Sequence, residues 1–256
     1  MKSKKKLTDE EKYSAYQEII PIVQEFRQKE MPKCQRVENT LGLLEEQLGY
    51  FVLKFPSAED KLSGFHIMKS GYHCIYINSA HVLGRQNFSL WHECYHAYAN
   101  QVSISMEGEA KNDINEYKAD CFASCILMPE VLIREYVAEK GINIAYAKYD
   151  QLIQMQHFFG VSYSAMITRM IQLFPEHKED LNVRYALSRK HRHQEFLEKT
   201  KRLGLDTALI EPTNEVYFSP RFFEDVKFNL SEGRITQDKC SMLIEMVERL
   251  GNHHGQ

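Results

Sequence analysis

No run of apolar residues in this chain approaches the length of a membrane span. An excess of one charge is missing too. Lysine and arginine number 32 against 35 aspartates and glutamates, a formal net charge of −3, which favours neither a broad nucleic-acid surface nor a membrane-binding one. No internal repeat or low-complexity tract is present. No secretory leader is expected, because the N-terminal lysines run straight into Leu7-Thr8-Asp9-Glu10-Glu11, which reads as a helix start. The expected location is therefore cytoplasmic. Cys34, Cys74, Cys94, Cys121, Cys125 and Cys240 are expected as reduced thiols. What remains is an ordinary globular composition, 43% hydrophobic and 26% charged over 256 residues. That length suits one large domain or two small ones.

One segment outweighs the rest: Trp91-His92-Glu93-Cys94-Tyr95-His96, an H-E-x-x-H pattern flanked by Phe88, Leu90 and Ala97. With 11 histidines in 256 residues, chance produces about 0.05 such matches. On a helix, residues four apart share a face, so the two imidazoles can close on one metal ion while Glu93 reaches a water beside it. The bland alternative is a helix with two partly buried histidines. That alternative must still find partners for their ring nitrogens.

A catalytic zinc takes three protein ligands and keeps a fourth position open. The nearest acidic residues after His96 are Glu107 and Glu109, in a stretch that reads as a loop from Ser105, then Asp113, Glu116 and Asp120. Residues 116–128 have helical periodicity, with apolar positions at 119, 122, 123, 126 and 127, and Pro129 marks the end. Glu116 and Asp120 share a face of that helix. Glu116 is the candidate third ligand. Asp120 can accept the outer N–H of a ligating histidine, or be no more than a solvated helix residue.

These residues carry a resemblance. Phe88 to His96, followed by Glu116-x-x-Ala119-Asp120-x-Phe122-Ala123-x-x-Ile126-Leu127-Met128-Pro129, resembles the ImmA/IrrE metallopeptidases, whose pattern is H-E-x-x-H and then E-x-x-A-N/D-x-F-A-x-x-L-L-x-P. Phe159-Gly160-Val161-Ser162 through Ala165 to Arg169-Met170 is similar to that family's F-x-V-S-x-x-A-x-x-x-R-L/M helix. Ser63-Gly64-Phe65 and Ile75-Tyr76-Ile77-Asn78 are similar to the strands before its metal helix. The resemblance covers roughly residues 40 to 175. It departs at Cys94 and at Tyr95, which replaces a common glycine and is expected to alter the cleft. It implies a Zn2+-dependent protease that cleaves a helix-turn-helix repressor, with His92, His96 and Glu116 as ligands and Glu93 as catalytic base.

The expected fold class is α+β: a minimal zincin-like (gluzincin) domain over residues 1–176, then an accessory, mainly helical partner-recognition region over residues 177–256. Helices are expected at 8–30, disturbed at Pro21, and at 35–48. Segments 49–55, 63–67 and 72–77 read as three strands of a small, mostly antiparallel sheet, with Lys69-Ser70-Gly71 as a hairpin turn. His66 and His73 lie in these strands and are left out of the ligand set. Cys121 and Cys125 interleave with Phe122 and Ile126 and read as buried thiols. Helical spacing returns at 132–138, 149–158 and 162–173, with Gly141 and Gly160 at the breaks. Arg134 and Arg169 are candidates for a substrate carboxylate, although a surface salt bridge is the commoner role.

Beyond the polar stretch 175–180, Ser188 to His193 is basic and reads as a solvated helix face. A short strand at 215–218 precedes a helix from Arg221 to Leu230. A second helix runs from Thr236, its expected N-cap, to Leu250. The pair is arranged like a helix-turn-helix, yet Glu245 and Glu248 speak against DNA reading. Two rival functions remain at this level: a non-cleaving zinc-fold regulator that binds a transcription factor, and a DNA-binding regulator working through these last helices.

Overall fold

The computed structural model describes residues 6–32, 36–99, 103–106 and 113–252. It opens with α1 (Asp9–Glu30). The start is fixed by a capping box: the Glu11 N–H donates to Thr8 Oγ1 (3.2 Å), and the Thr8 N–H donates to Glu11 Oε2 (2.6 Å). Pro21 sits inside this helix without ending it. A mid-helix proline costs about 3 kcal/mol. Burial of Ala15, Ile19, Val23 and Phe26 on the opposite face returns about 1.5–3 kcal/mol for each of the three larger side chains, which is enough to carry the helix through.

The expected helix at 35–48 is shorter. Asn39 caps α2 (Thr40–Gly42) by accepting from the Gly42 N–H at 3.0 Å, and a π-helical turn, Leu43–Gln47, follows directly.

Next come β1 (Phe51–Phe55), β2 (Leu62–Lys69) and β3 (Tyr72–Asn78). β2 and β3 form an antiparallel hairpin joined by Ser70 and Gly71, both at positive φ (52° and 82°). That is the mirror-image turn whose twist matches the strands. β1 lies parallel to β3, with Val52 opposite Ile75. Two more strands enlarge the sheet beyond the expected three. β4 (Ser103–Met106) pairs antiparallel with β2, and β5 (Tyr217–Phe218) pairs antiparallel with β1, giving the order β4-β2-β3-β1-β5. Ser105 and Met106 therefore belong to a strand and not to a loop. Glu107 and Glu109 lie outside the described residues. β4 is too short to show an alternating pattern alone, so only its pairing reveals it. β5 falls within the short strand expected at 215–218, and its pairing with β1 gives its place in the sheet. The sheet is otherwise mostly antiparallel, as expected.

Val52, Ile75 and Ile77 share one core with Leu90, Trp91 and Cys94 of α3 (Leu83–Tyr98). α4 (Ile114–Leu127) packs between α3 and α1. Phe26 joins the three helices: its ring meets Trp91, Tyr98 and Phe122 edge-on at 6.1, 5.3 and 5.2 Å. α5 (Glu130–Glu139), α6 (Tyr149–Phe159) and α7 (Tyr163–Leu173) complete this layer. Gly84 lets α3 approach the backbone between α6 and α7, where a Cβ would stand 2.3 Å from the Val161 carbonyl carbon.

The chain continues through α8 (Lys178–Tyr185), α9 (His193–Arg202), α10 (Pro220–Ser231) and α11 (Gln237–Asn252). The expected cap is present, with the Lys239 N–H donating to Thr236 Oγ1 at 3.1 Å. The chain around β5 is tied down twice, to β1 by an ion pair between buried Lys54 and Glu215, and to the π-helical turn by Tyr217 Oη donating to Glu45 Oε2 at 2.6 Å. No helix among the described residues is long and apolar enough to cross a membrane.

Candidate metal centre

His92, Glu93 and His96 lie in the C-terminal half of α3, buried to 6%, 0% and 2% exposure. α4 runs alongside. Asp113 caps it by accepting from the Asn115 N–H at 2.9 Å, which places Glu116 in its first turn and Asp120 one turn on.

The distances tie the four groups together. His92 Nδ1 is 2.8 Å from Asp120 Oδ1. His92 Nε2 is 3.1 Å from Glu116 Oε2 and 3.2 Å from His96 Nε2. His96 Nε2 is 3.4 Å from Glu116 Oε1. An ionised carboxylate only accepts, so Asp120 fixes the proton on Nδ1 of His92. In the neutral ring Nε2 then presents a lone pair, and that lone pair faces the carboxylate of Glu116. Two acceptors in contact repel unless a cation or a proton sits between them. Donors 2.0–2.1 Å from a tetrahedral zinc lie about 3.3 Å apart. The three spacings observed here bracket that value, and the donor set of two imidazoles and one carboxylate fits a divalent metal. Among the described residues, His92, His96 and Glu116 are the one group that offers three such atoms close enough to share an ion.

The electrostatics agree. Burial alone would lower the pKa of His92, but its hydrogen bonds to Asp120 and Glu116 prevail and push it up to about 10. Burial would raise Glu116, yet the hydrogen bonds and charges of His92 and His96 hold it down at about 2. Without an ion the site retains a proton as its positive charge. A metal replaces that proton.

Glu93 points away from the α4 side, toward the sheet. A Cβ on Gly64 of β2 would stand 3.5 Å from Glu93 Cγ and 2.6 Å from the Tyr76 carbonyl oxygen. Only glycine allows the strand to lie this close. Sequence reading gave Gly64 no role of its own, and the alternation of β2 carries no sign of it.

Other candidates separate clearly. Tyr95 is buried, with its ring 5.4 Å from Phe122 in the core and edge-on to the His96 ring at 5.8 Å. His66 is buried and bonded to His73, Nε2 to Nδ1 at 2.9 Å, away from the metal donors. Cys94, Cys121 and Cys125 are buried free thiols, and Cys74 and Cys240 are half-buried free thiols. Burial pushes the Cys121 thiol up to about 12, far from the thiolate a metal ligand would need. In the basic run, Arg192 is engaged with Glu195 at 2.8 Å and Tyr149 at 3.1 Å.

Comparison with known families gives one result. The IrrE N-terminal-like domain model (Peptidase_M78) matches residues 45–170, about half of the chain. A search among curated proteins finds no match. The matched stretch contains the sheet strands β1 to β4, the H-E-x-x-H helix and the helix bearing Glu116 and Asp120. Through this domain, whose residues build the three-donor centre described above, the chain belongs to the ImmA/IrrE family of metallopeptidases.

Proposed function

We propose that the protein is a cytoplasmic zinc-dependent endopeptidase that cleaves another protein, a helix-turn-helix transcriptional repressor. The observation that carries the catalytic part is the convergence of three metal donors, one with its tautomer fixed, directly beside a fully buried glutamate. His92, His96 and Glu116 would hold the ion, and imidazole with carboxylate suits zinc. Bound zinc supplies a Lewis acid and brings the pKa of water from about 15.7 towards 7.

The chain's own groups supply the rest. Asp120 keeps the His92 ring oriented with Nε2 inward. Glu93 takes the proton of the attacking water and then gives it to the leaving amine. An extended substrate backbone would hydrogen-bond along β4, the strand at the end of the sheet nearest α3. The repressor as substrate rests on the family resemblance. Residues 177–256 are assigned to partner recognition, with exposed Phe228, Met242 and Met246 as the apolar surface of α10 and α11.

The test is a pair of variants. Glu93→Gln should bind zinc as the wild type does and leave the co-incubated repressor intact, read by mass spectrometry of the fragments. His92→Ala should lose the metal. If Glu93→Gln retained full activity in cells, the protein would act by holding its partner, without hydrolysis.

A further inference from the structure

Arg134 and Arg169 read alike in the sequence and fold differently. Arg134 lies on the surface and pairs with Glu130 one turn away, Nε to Oε1 2.7 Å. Arg169, on α7, is 2% exposed. Its Nε donates to the Met128 carbonyl at 3.2 Å. Its Nη1 donates to the Tyr16 hydroxyl at 2.9 Å and to Gln172 Oε1 at 2.7 Å. All three acceptors are neutral. Among the described residues no carboxylate comes within ion-pair distance of Arg169, and its one further side-chain partner is the neutral, buried thiol of Cys125. A guanidinium does not shed its proton, so this is a buried positive charge without a counter-charge. Buried charges are ordinarily paired, because isolation from water is costly.

The cation borders a cavity of about 600 Å³ between α1, α3, α4, α7 and α8. That volume is in the range of small-molecule sites. Phe88 supplies apolar wall, Ser124 and Thr168 supply hydroxyls, and Lys12 adds a second positive charge. Asp120 is the single acidic residue of the lining. It lies beyond ion-pair distance of Arg169 and carries the outer hydrogen bond of His92.

We propose that this cavity binds a small apolar group carrying one carboxylate, with the carboxylate on Arg169. Met128, Tyr16 and Gln172 take the Nε–H and both Nη1–H donors, so a carboxylate would be met by Nη2, where it would outcompete a neutral thiol for the charged donor. Asp120 disfavours a second anionic group, so monoanions bind and dianions are rejected. The carboxylate has two sources, a free acid or an acidic side chain of the protein substrate. Direct binding does not require that the protein hydrolyse peptides, so this inference can fail or hold independently of the catalytic reading.

The experiment is calorimetric titration of the full-length, metal-loaded protein with 3-phenylpropionate and with its neutral amide. The acid should bind with a dissociation constant on the order of 1 mM, and the amide about tenfold or more weaker. Arg169→Lys should weaken the acid by about tenfold, and its thermal unfolding shows whether it folds. Ser124→Phe fills the cavity while keeping the Arg169 side chain, and should abolish binding. Absence of heat with the acid up to about 10 mM overturns the proposal. So does equal binding of acid and amide, or undiminished binding to Ser124→Phe, which would place the acid on the metal instead. Where the acid binds as expected, inhibition kinetics on fluorogenic decapeptides bearing glutamate at successive positions assign the source. Competitive inhibition with loss of the glutamate preference in Ser124→Phe indicates a substrate side chain. Non-competitive inhibition indicates a free acid. Both support the site.

Discussion

Replacing Asp120 with alanine tests the link between α4 and the metal ligands most directly. The carboxylate accepts from His92 Nδ1 at 2.8 Å, and its side chain is 39% exposed. A charge-assisted hydrogen bond contributes about 1.5–3 kcal/mol, and this degree of exposure places Asp120 near the lower end. The expected loss in metal affinity is therefore about 10- to 30-fold, within the range seen when the partner of a metal-bound histidine is removed. A second effect opposes it. Asp120 is also what raises the proton affinity of His92, whose pKa stands at about 10 without metal. Below that pH the metal must displace a proton from His92, and removing Asp120 weakens the competitor as well as the ligand. The deficit should thus be smaller at pH 6 and grow towards pH 8.5. Competition with a chromogenic chelator at the two pH values measures it. Asp120→Asn keeps an acceptor oxygen without the charge and should fall between wild type and alanine. An affinity within about twofold of wild type at pH 8.5, or a deficit that shrinks as pH rises, would refute the positioning role of Asp120.

The metal-free protein should have its own pH signature. The folded pKa of His92 is raised, so its contribution to stability is complete below about 6.5 and is lost as pH rises towards about 10. Glu116 is depressed to about 2, so its contribution holds above about 4.5 and is lost as pH falls towards 2. Thermal melts of chelator-treated protein should fall in both directions. The metal-loaded protein should lose the alkaline slope, and an unchanged slope would speak against a metal on His92. Gly64→Ala should cost about 1–3 kcal/mol in chemical denaturation and reduce peptidase activity further, because the added methyl meets the Tyr76 carbonyl and displaces β2 against Glu93. Pro21→Ala should raise stability by about 1–3 kcal/mol with activity unchanged, since Pro21 is exposed inside α1 and belongs to none of the metal-site groups; a lower melting temperature would contradict this.

The chemistry of the centre was legible because it is local. A four-residue spacing sets His92 and His96 on one face of a helix, and a second four-residue spacing does the same for Glu116 and Asp120. The C-terminal end of α4 and the cap of α11 were readable for the same reason, since Pro129 and Thr236 act on their immediate neighbours. What could not be read are the relations between segments distant in the chain. β4 is a strand only because β2 pairs with it, and the strand expected at 215–218 finds its place at the sheet edge only through β1. Tyr95 faces the core because Phe122 stands opposite, and Arg169 is buried because α1 and α4 close over it while Arg134 stays on the surface. Gly64 matters through a carbonyl twelve residues away and a glutamate on another element. Residue type and short-range periodicity decide which atoms can bind a metal. Which atoms meet, and which charges end up without a partner, follows from how the layers pack, and single-residue propensities carry no record of it.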